Sequence, residues 1–236
     1  MRGGSRLTAV RQPLTLTIVQ QAFERASEPV PSDGTDESPP PLPLRDPQAL
    51  LERTLAARNP RHDLWVFGYA SLIWRPEFHA AEQRPARVHG FHRALQMRSR
   101  LNRGTPERPG LVFALVPGGS CAGMVYRIER DRVEAELQRL WVREMPNGVY
   151  DPRWLACRTA DGAVTALAFT LSRRSPNYTG ELDEDALITI LRHARGRYGS
   201  TLDYLVETAR CLHQRGIRDA AIERHVALLR RHGLLS

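Results

Sequence analysis

The segment DRVEAELQRLWVRE, residues 131–144, predicts one amphipathic helix with an acidic residue on its apolar face. The apolar residues follow the i, i+4, i+7, i+8 spacing of a single helical face: Val133, Leu137, Leu140 and Trp141. Glu144 is the next member of the same series. The pattern therefore predicts that the side chain of Glu144 points toward the protein interior.

The flanking residues predict where this helix begins and ends. Asp131, with Glu134 three positions later, has the pattern of an N-cap and a capping box. The sequence Pro-Asn-Gly at residues 146–148 is typical of a helix end. Both ends agree with the register that turns Glu144 inward.

A carboxyl group in this position is expected to have a raised pKa. Partial burial disfavours its charged form, and the negative end of the helix dipole does the same. A carboxyl whose pKa lies closer to neutral pH suits general acid or base catalysis. The alternative is that the helix bends outward in its last turn, so that Glu144 is solvated or paired with an arginine, as in many structural ion pairs.

Length and composition predict one folded domain preceded by an extension. The chain has 236 residues, which suits one sizeable core. The extension ends in a stretch rich in proline, serine and acidic residues, a composition that predicts a disordered linker. We therefore predict an N-terminal extension over residues 1–46 and the folded domain over residues 47–236.

The net charge of +8 does not by itself predict a nucleic-acid partner. The sequence contains no lysine, and its arginines alternate with acidic and apolar residues instead of forming one basic patch. No apolar run reaches the roughly 20 residues that a membrane span needs. We expect a soluble protein without nucleic-acid or membrane partners, and the sequence carries no signal for an oligomeric state.

The cysteines and histidines favour neither disulfides nor a metal site. Cys121, Cys157 and Cys211 are far apart in the sequence and form no CxxC pair. The histidines are scattered, and none has the spacing of a zinc-binding helix. We therefore expect a cytoplasmic protein without a metal or another cofactor.

Strand patterns dominate the first half of the domain, and helical patterns dominate the second half. LWVFGY, residues 64–69, predicts a buried strand that runs into a loop. Further strands are predicted over residues 87–97, 111–116, 122–128, 154–159 and 163–171, with residues 117–119 as a turn between two of them. Helices are predicted over residues 47–57, 183–195, 200–216 and 219–231. Strands followed by helices predict an α+β fold.

Two loops are candidates for ligand binding. GYASL, residues 68–72, consists mostly of small residues that can leave backbone N–H groups open to an anion, although it could equally be a plain tight turn. RSRLNRGTPERP, residues 98–109, offers arginines that could hold carboxylates in bidentate fashion, although its composition alone favours a solvated loop.

Taken together, these segments resemble the ChaC-type γ-glutamylcyclotransferase family. The resemblance rests on blocks that occur in the family's order: WVFGYASLIW, NRGTPERPG, GMVYRI, LWVREMPNGVYDPRW, and SPNYTG with DYLVETARCL. It extends from about Leu64 to the final helix, which is nearly all of the folded region. The spacing after Glu144 is most similar to that of the bacterial branch.

The resemblance implies a fold and an activity. The fold would be a small mixed β-barrel with flanking helices and a helical C-terminal part. The activity would be the cleavage of glutathione into 5-oxoproline and cysteinylglycine, in which the substrate's own α-amino group attacks its γ-carbonyl carbon. The family implies no cofactor.

The resemblance also implies the residues of the site. Glu144 corresponds to the family's catalytic glutamate, and Arg98, Arg103 and Tyr178 are candidates for binding the substrate carboxylates. The family's glutamyl-binding loop corresponds to Val66, Phe67, Gly68, Tyr69, Ala70, Ser71 and Leu72. Ala70 departs from the family, which usually has glycine there. If this position requires a positive φ angle, alanine would cost about 1 kcal/mol and could shift the loop.

Three alternatives remain open. The chain could act on other γ-glutamyl amines or dipeptides, or it could be a non-catalytic ligand-binding module of the same fold. It could also bind nucleic acid through its arginines, in which case binding would weaken steeply with salt.

Overall fold

The computed structural model describes residues 45–235 of the chain. Except for Arg45 and Asp46, the predicted N-terminal extension and linker lie outside the described residues. Within residues 45–235, five strands form a closed barrel. They are β1 (Leu64–Gly68), β2 (Glu82–Ser99), β3 (Gly110–Ile128), β4 (Asp151–Thr159) and β5 (Gly162–Thr170).

The barrel is mixed because β1 has two kinds of neighbour. It pairs antiparallel with β3, with Leu64 opposite Ile128, and parallel with β5, with Trp65 opposite Ala166. The other pairs in the order β1-β3-β2-β4-β5 are antiparallel, and the order closes on itself. The predicted α+β class and the small mixed barrel are confirmed.

The predicted turn over residues 117–119 is wrong. Strand β3 continues through these residues and stays paired with β2 on both sides of them. The register shifts between His89 and Phe91 of β2, and Gly118 and Gly119 have φ angles of 109° and 69°. Because glycine tolerates positive φ, the strand absorbs these residues as an irregularity in the ladder and does not reverse direction.

Six helices accompany the barrel in the described part of the chain. They are α1 (Pro47–Ala56), α2 (Ser71–Trp74), α3 (Val133–Glu144), α4 (Glu184–His193), α5 (Thr201–Gln214) and α6 (Ala220–Arg231). A two-stranded ladder of β6 (Arg195–Gly196) and β7 (Gly199–Ser200) precedes α5. Side chains cap four helices at their predicted starts: Asp46 for α1, Asp183 for α4, Ser200 for α5 and Asp219 for α6. None of the helices described is long and apolar enough to cross a membrane.

Helix α3 does not begin as predicted. Its N-cap is Arg132, and no side chain caps it. A turn precedes the helix, in which the N–H of Arg132 donates to the carbonyl oxygen of Glu129 at 2.8 Å. The backbone of Arg132 is therefore already helical, with φ −105° and ψ −9°, whereas a side-chain cap is normally made by an extended residue. The predicted capping box at Asp131 and Glu134 is wrong, but the helix ends at Glu144 as predicted.

Helix α3 packs through its predicted apolar face. Val133, Leu137, Leu140 and Trp141 are all buried. Burial of side chains of this size stabilises a fold by about 1.5–3 kcal/mol each. The ring of Trp141 packs edge to face on Phe169 of β5 at 5.6 Å, and its Nε1 donates to the carbonyl oxygen of Pro47 in α1 at 2.7 Å. These contacts fix the rotation of α3 and so the direction of its last residue.

Candidate active site

Glu144 ends α3 with its side chain directed inward. Only 14% of the side-chain surface is exposed, and Oε1 lies 2.9 Å from Nε of Arg143. The two neighbouring residues therefore form an ion pair at the end of the helix. The inward direction is the one that the periodicity of residues 131–144 predicts.

Burial is the largest effect on the pKa of Glu144, which it raises above the ordinary value because the charged form loses hydration. The charge of Arg143 and its hydrogen bond lower the pKa, and the charge of Glu77 raises it. The carboxyl is thus shifted toward neutral pH while a cation at its side favours the carboxylate. This combination suits a group that must accept a proton and then return it.

The loop after β1 is anchored by buried side chains on both sides. The side chains of Val66 and Phe67 of β1 and Leu72 of α2 belong to the core, so they hold the loop in place. Gly68 has little room for a side chain, since a Cβ there would lie 3.0 Å from atoms of Leu72 and Tyr126. Tyr69 and Ala70, which follow Gly68, are buried as well.

Ala70 does not have a positive φ angle. Its φ and ψ angles are −146° and −112°, and among the non-glycine residues described only Glu77 has a positive φ. The expected cost of alanine applied only to a positive φ, so it does not arise here. Within residues 45–235, the N–H groups of Ala70, Ser71 and Leu72 have no hydrogen-bond acceptor, as is usual for the first N–H groups of a helix.

Arg143 joins this loop to Glu144. Its Nη2 donates to Oγ of Ser71 at 3.0 Å, and its Nη1 donates to the carbonyl oxygen of Arg75 and to Oε2 of Glu77, the latter at 3.2 Å. Its Nε pairs with Glu144 at 2.9 Å. Because the guanidinium is a rigid planar fork, one side chain holds the catalytic candidate and both ends of α2 at fixed positions.

Three buried tyrosines share the electrostatic environment of Glu144. Burial raises the pKa of Tyr69, Tyr150 and Tyr204, and the charge of Glu144 raises each pKa further. These hydroxyls therefore stay protonated at neutral pH. The hydroxyl of Tyr69 donates to the carbonyl oxygen of Phe169 at 3.1 Å, and that of Tyr204 accepts from a backbone N–H of β3 at 3.3 Å.

Arg103 reaches the same region from the loop between β2 and β3. The residue is 9% exposed, and its guanidinium carbon lies 5.1 Å from the ring centroid of Tyr204 and 6.0 Å from that of Trp74. Its Nη1 donates to the carbonyl oxygen of Tyr198. No carboxylate in the described part of the chain forms a salt bridge with Arg103, although Asp203 contributes a favourable charge. Burial lowers the pKa of the guanidinium, which remains a cation.

Comparison with known proteins adds to this geometry. The model of a family described as "ChaC-like protein" matches residues 64–232, a range that contains the loop after β1, Arg103 and Glu144. The chain belongs to this family.

Two relatives and one solved structure show how far the similarity extends. The glutathione-specific γ-glutamylcyclotransferase of Escherichia coli (strain K12) is 35% identical over 172 residues, which are 72% of this chain and 74% of that protein. The glutathione-specific γ-glutamylcyclotransferase 1 of Homo sapiens is 33% identical over 166 residues, 66% and 75% of the two chains. The crystal structure of a yeast γ-glutamyl cyclotransferase specific to glutathione matches with a TM-score of 0.65 at 22% identity, covering 73% of this chain and 97% of that one. The structural match confirms the fold.

Two of the residues predicted for this ChaC-like protein, Arg98 and Tyr178, make no described contact with Glu144. Arg98 is exposed, and it lines a cavity of about 520 Å³ whose lining includes neither Glu144 nor any residue of the loop after β1. Tyr178 is half-buried and pairs with Met97 near the end of β2. No hydrogen bond or ion pair of the described residues joins Arg98 or Tyr178 to Glu144.

Some residues of the ChaC-like site were not predicted from the sequence. They are Arg143, Tyr150, Tyr204 and Arg93, a buried residue of β2 whose Nε donates to the carbonyl oxygen of Tyr69. Arg143 and Tyr150 carried a signal, because both lie in the block LWVREMPNGVYDPRW around Glu144. Tyr204 also carried a signal, because it lies in the block DYLVETARCL. Arg93 carried none, since it lies in the middle of a strand with its charged partner far along the chain.

Proposed function

We propose that this chain is a γ-glutamylcyclotransferase that cleaves glutathione into 5-oxoproline and cysteinylglycine. The observation that carries the proposal is the buried carboxyl of Glu144, held by Arg143 beside the loop that leads into α2. The similarity to the enzymes of Escherichia coli and Homo sapiens supports glutathione as the substrate.

The reaction needs no nucleophile from the protein. The α-amino nitrogen of the substrate attacks the γ-carbonyl carbon and forms the ring bond of 5-oxoproline. The bond from that carbon to the cysteine nitrogen breaks, and cysteinylglycine leaves. The attacking nitrogen loses a proton and the leaving nitrogen gains one, so Glu144 can serve both transfers, first as carboxylate and then as carboxylic acid. Proton transfers of this kind typically contribute roughly 10²- to 10⁴-fold to the rate.

The loop after β1 would stabilise the negative charge on the γ-carbonyl oxygen of the substrate. Negative charge develops on this oxygen during attack, and donors aimed at it stabilise the transition state. The N–H groups of Ala70, Ser71 and Leu72 are candidate donors because no protein group of the described residues occupies them. Holding the amine against the carbonyl adds to this effect, since oriented intramolecular reactions reach effective molarities of roughly 10⁵–10⁸ M.

Arg103 is our first choice for a substrate carboxylate. It is a largely buried cation that forms no salt bridge within residues 45–235, and it stacks on Tyr204, whose pKa responds to the charge of Glu144. A bound carboxylate would complete its pairing and could accept two parallel hydrogen bonds. Arg98 and Tyr178 remain weaker predictions for the same role, because nothing in their surroundings connects them with Glu144.

The test compares two glutamates of α3. Purified protein is incubated with reduced glutathione, and 5-oxoproline is measured. Glu144→Gln keeps the shape but cannot accept the proton, so kcat should fall by at least about 100-fold while glutathione still binds. Glu136→Gln is the matched control, since Glu136 is also buried on α3 but pairs with Arg139 at 3.4 Å. It should retain a rate within a few-fold of wild type. Normal turnover by Glu144→Gln would rule out the proposed role.

A panel of substrates separates the remaining functions. If the protein turns over γ-glutamyl amines or dipeptides in preference to glutathione, the proposed substrate is wrong and the proposed mechanism still applies. Binding of glutathione without any 5-oxoproline, by a protein whose folding is verified, would favour a non-catalytic module of the same fold.

A further inference from the structure

Arg93 is a fully buried arginine with three separate partners. Its side chain has no exposed surface. Nε donates to the carbonyl oxygen of Tyr69 at 2.5 Å, Nη2 donates to that of Ala122 in β3 at 2.6 Å, and Nη1 pairs with the carboxylate of Asp219. A buried guanidinium is tolerated only when charge and hydrogen bonds compensate for lost hydration, and here every arm of the fork is engaged.

The Tyr69 carbonyl makes this arrangement relevant to the candidate active site. It belongs to the residue directly before Ala70, where the chain leaves β1 and turns into α2. Arg93 therefore holds the start of the loop, while Arg143 holds Ser71 and the residue after α2. The N–H groups proposed to face the substrate lie between these two fixed points.

Asp219 connects this anchor to the C-terminal helix. Its Oδ1 accepts from the N–H groups of Ala221 and Ile222 at 3.0 and 3.1 Å and so caps α6. Its Oδ2 is the oxygen that pairs with Arg93. One carboxylate oxygen thus caps α6 and the other pairs with Arg93. The side chains of Asp219 and Arg93 therefore link the start of α6 to the carbonyl oxygen of Tyr69.

We propose that Arg93 is a positioning residue for the reaction and that Asp219, through Arg93, sets the geometry of the loop after β1. The proposal rests on the proposed function for its effect on catalysis, but the mechanical link is testable by itself. Neither side chain takes part in bond making. Their effect is on where the loop N–H groups lie relative to the reacting carbonyl, and a misplacement of about 1 Å can cost as much as 100-fold in rate.

The decisive variants separate capping from pairing. Asp219→Asn keeps a good N-cap but loses the charge that pairs with Arg93, whereas Asp219→Ala loses both. Asp183→Asn is the matched control, because Asp183 caps α4 in the same way, accepting from the N–H of Ala186 at 2.7 Å, without contacting Arg93. Arg93→Lys keeps a positive charge but cannot hold three partners at fixed angles.

Two measurements are made well below the melting temperature of each variant. Asp219→Asn, Asp219→Ala and Arg93→Lys should each lower kcat/KM by about tenfold or more, chiefly through kcat, and Asp183→Asn should stay within about twofold. Hydrogen exchange of the peptide covering residues 66–74 should accelerate by about tenfold in the same three variants and not in Asp183→Asn.

The outcomes separate this inference from the proposed function. If the wild-type protein is inactive but hydrogen exchange of residues 66–74 is accelerated in Asp219→Asn, the proposed activity is wrong. The link from Asp219 through Arg93 to the loop is then still supported. Wild-type exchange and wild-type kcat/KM in Asp219→Asn would show that Asp219 only caps α6, and the link would be wrong. Should one variant fail to fold, Arg93→Lys and Asp219→Asn test the same contact from its two sides.

Discussion

Arg98 and Arg103 lie five residues apart in the sequence, and the resemblance implies the same role for both, yet they end in different surroundings. Arg98 is exposed and lines a cavity of about 520 Å³ together with Arg108 and His193. Arg103 is 9% exposed and stacks on Tyr204. An exposed arginine interacts mostly with water, whereas a desolvated one needs a partner. From this difference we expect burial, and not position in the motif, to decide which of the two arginines binds a substrate carboxylate.

The backbone of the loop explains how Arg103 becomes buried. A Cβ on Gly110, the first residue of β3, would lie 2.2 Å from the carbonyl oxygen of Arg103, so the backbone segments at these two residues approach more closely than a side chain would allow. The N–H of Leu111 then donates to Oγ1 of Thr201 at 2.9 Å, which docks the loop on α5. Arg103 is thereby directed at Tyr204 of the same helix.

Among the arginine variants, the largest effect is expected from removing Arg103. Arg103→Met keeps an apolar stem but removes the charge, so kcat/KM for glutathione should fall by roughly 10- to 150-fold, the equivalent of a charged hydrogen bond of about 1.5–3 kcal/mol. Most of the loss should appear in KM, since the carboxylate is bound equally in ground and transition states. Steady-state kinetics measure the split.

The control for this variant lies in the same loop. Arg100→Met removes an exposed arginine that donates to Oδ1 of Asn177 at 2.6 Å. It should leave KM within about twofold, because exposed charges contribute little. An unchanged KM in Arg103→Met would remove the contrast with Arg98, and the substrate carboxylate would have to lie elsewhere.

A smaller effect is expected from Arg143, which unlike Arg103 forms salt bridges with carboxylates of the protein, those of Glu77 and Glu144. Its charge lowers the pKa of Glu144, opposing the increase caused by burial. Arg143→Gln removes that charge, so the pKa of Glu144 should rise. Because the general base must be a carboxylate, the acid limb of the kcat/KM profile should move to higher pH, with a loss of about 3- to 10-fold near neutral pH.

The charge and the hydrogen bonds of Arg143 can be separated. Arg143→Lys keeps the cation but loses the fork that reaches Ser71 and Arg75. It should lower the plateau of the pH profile without moving its acid limb. If the acid limbs of the kcat/KM profiles of Arg143→Gln and Arg143→Lys lie at the same pH, the charge of Arg143 does not set the pKa of Glu144.

The sequence predicted local features of the site and missed its long-range contacts. The periodicity of residues 131–144 placed Glu144 correctly because the apolar face of a helix is a local pattern. The capping box at Asp131 was wrong because the preceding turn already gives Arg132 a helical backbone. Arg93 could not be predicted, since Asp219 lies 126 positions away and only the closed barrel brings them together. The φ angle of Ala70 could likewise not be predicted from the sequence, because a glycine at this position in the family does not by itself imply a positive φ.

The smallest effect is expected at Arg98 and Tyr178, which the resemblance implies and which make no described contact with Glu144. Arg98→Gln removes an exposed charge from a cavity that does not include the loop after β1, so kcat/KM should change by less than about twofold. Tyr178→Phe should behave alike, because its link to the barrel is the backbone pairing with Met97, which phenylalanine retains. Both are measured with glutathione at low and at saturating concentration. If Arg98→Gln instead raises KM as much as Arg103→Met does, the substrate must extend from Glu144 to the cavity beside α4, and the two arginines bind the two carboxylates of one molecule.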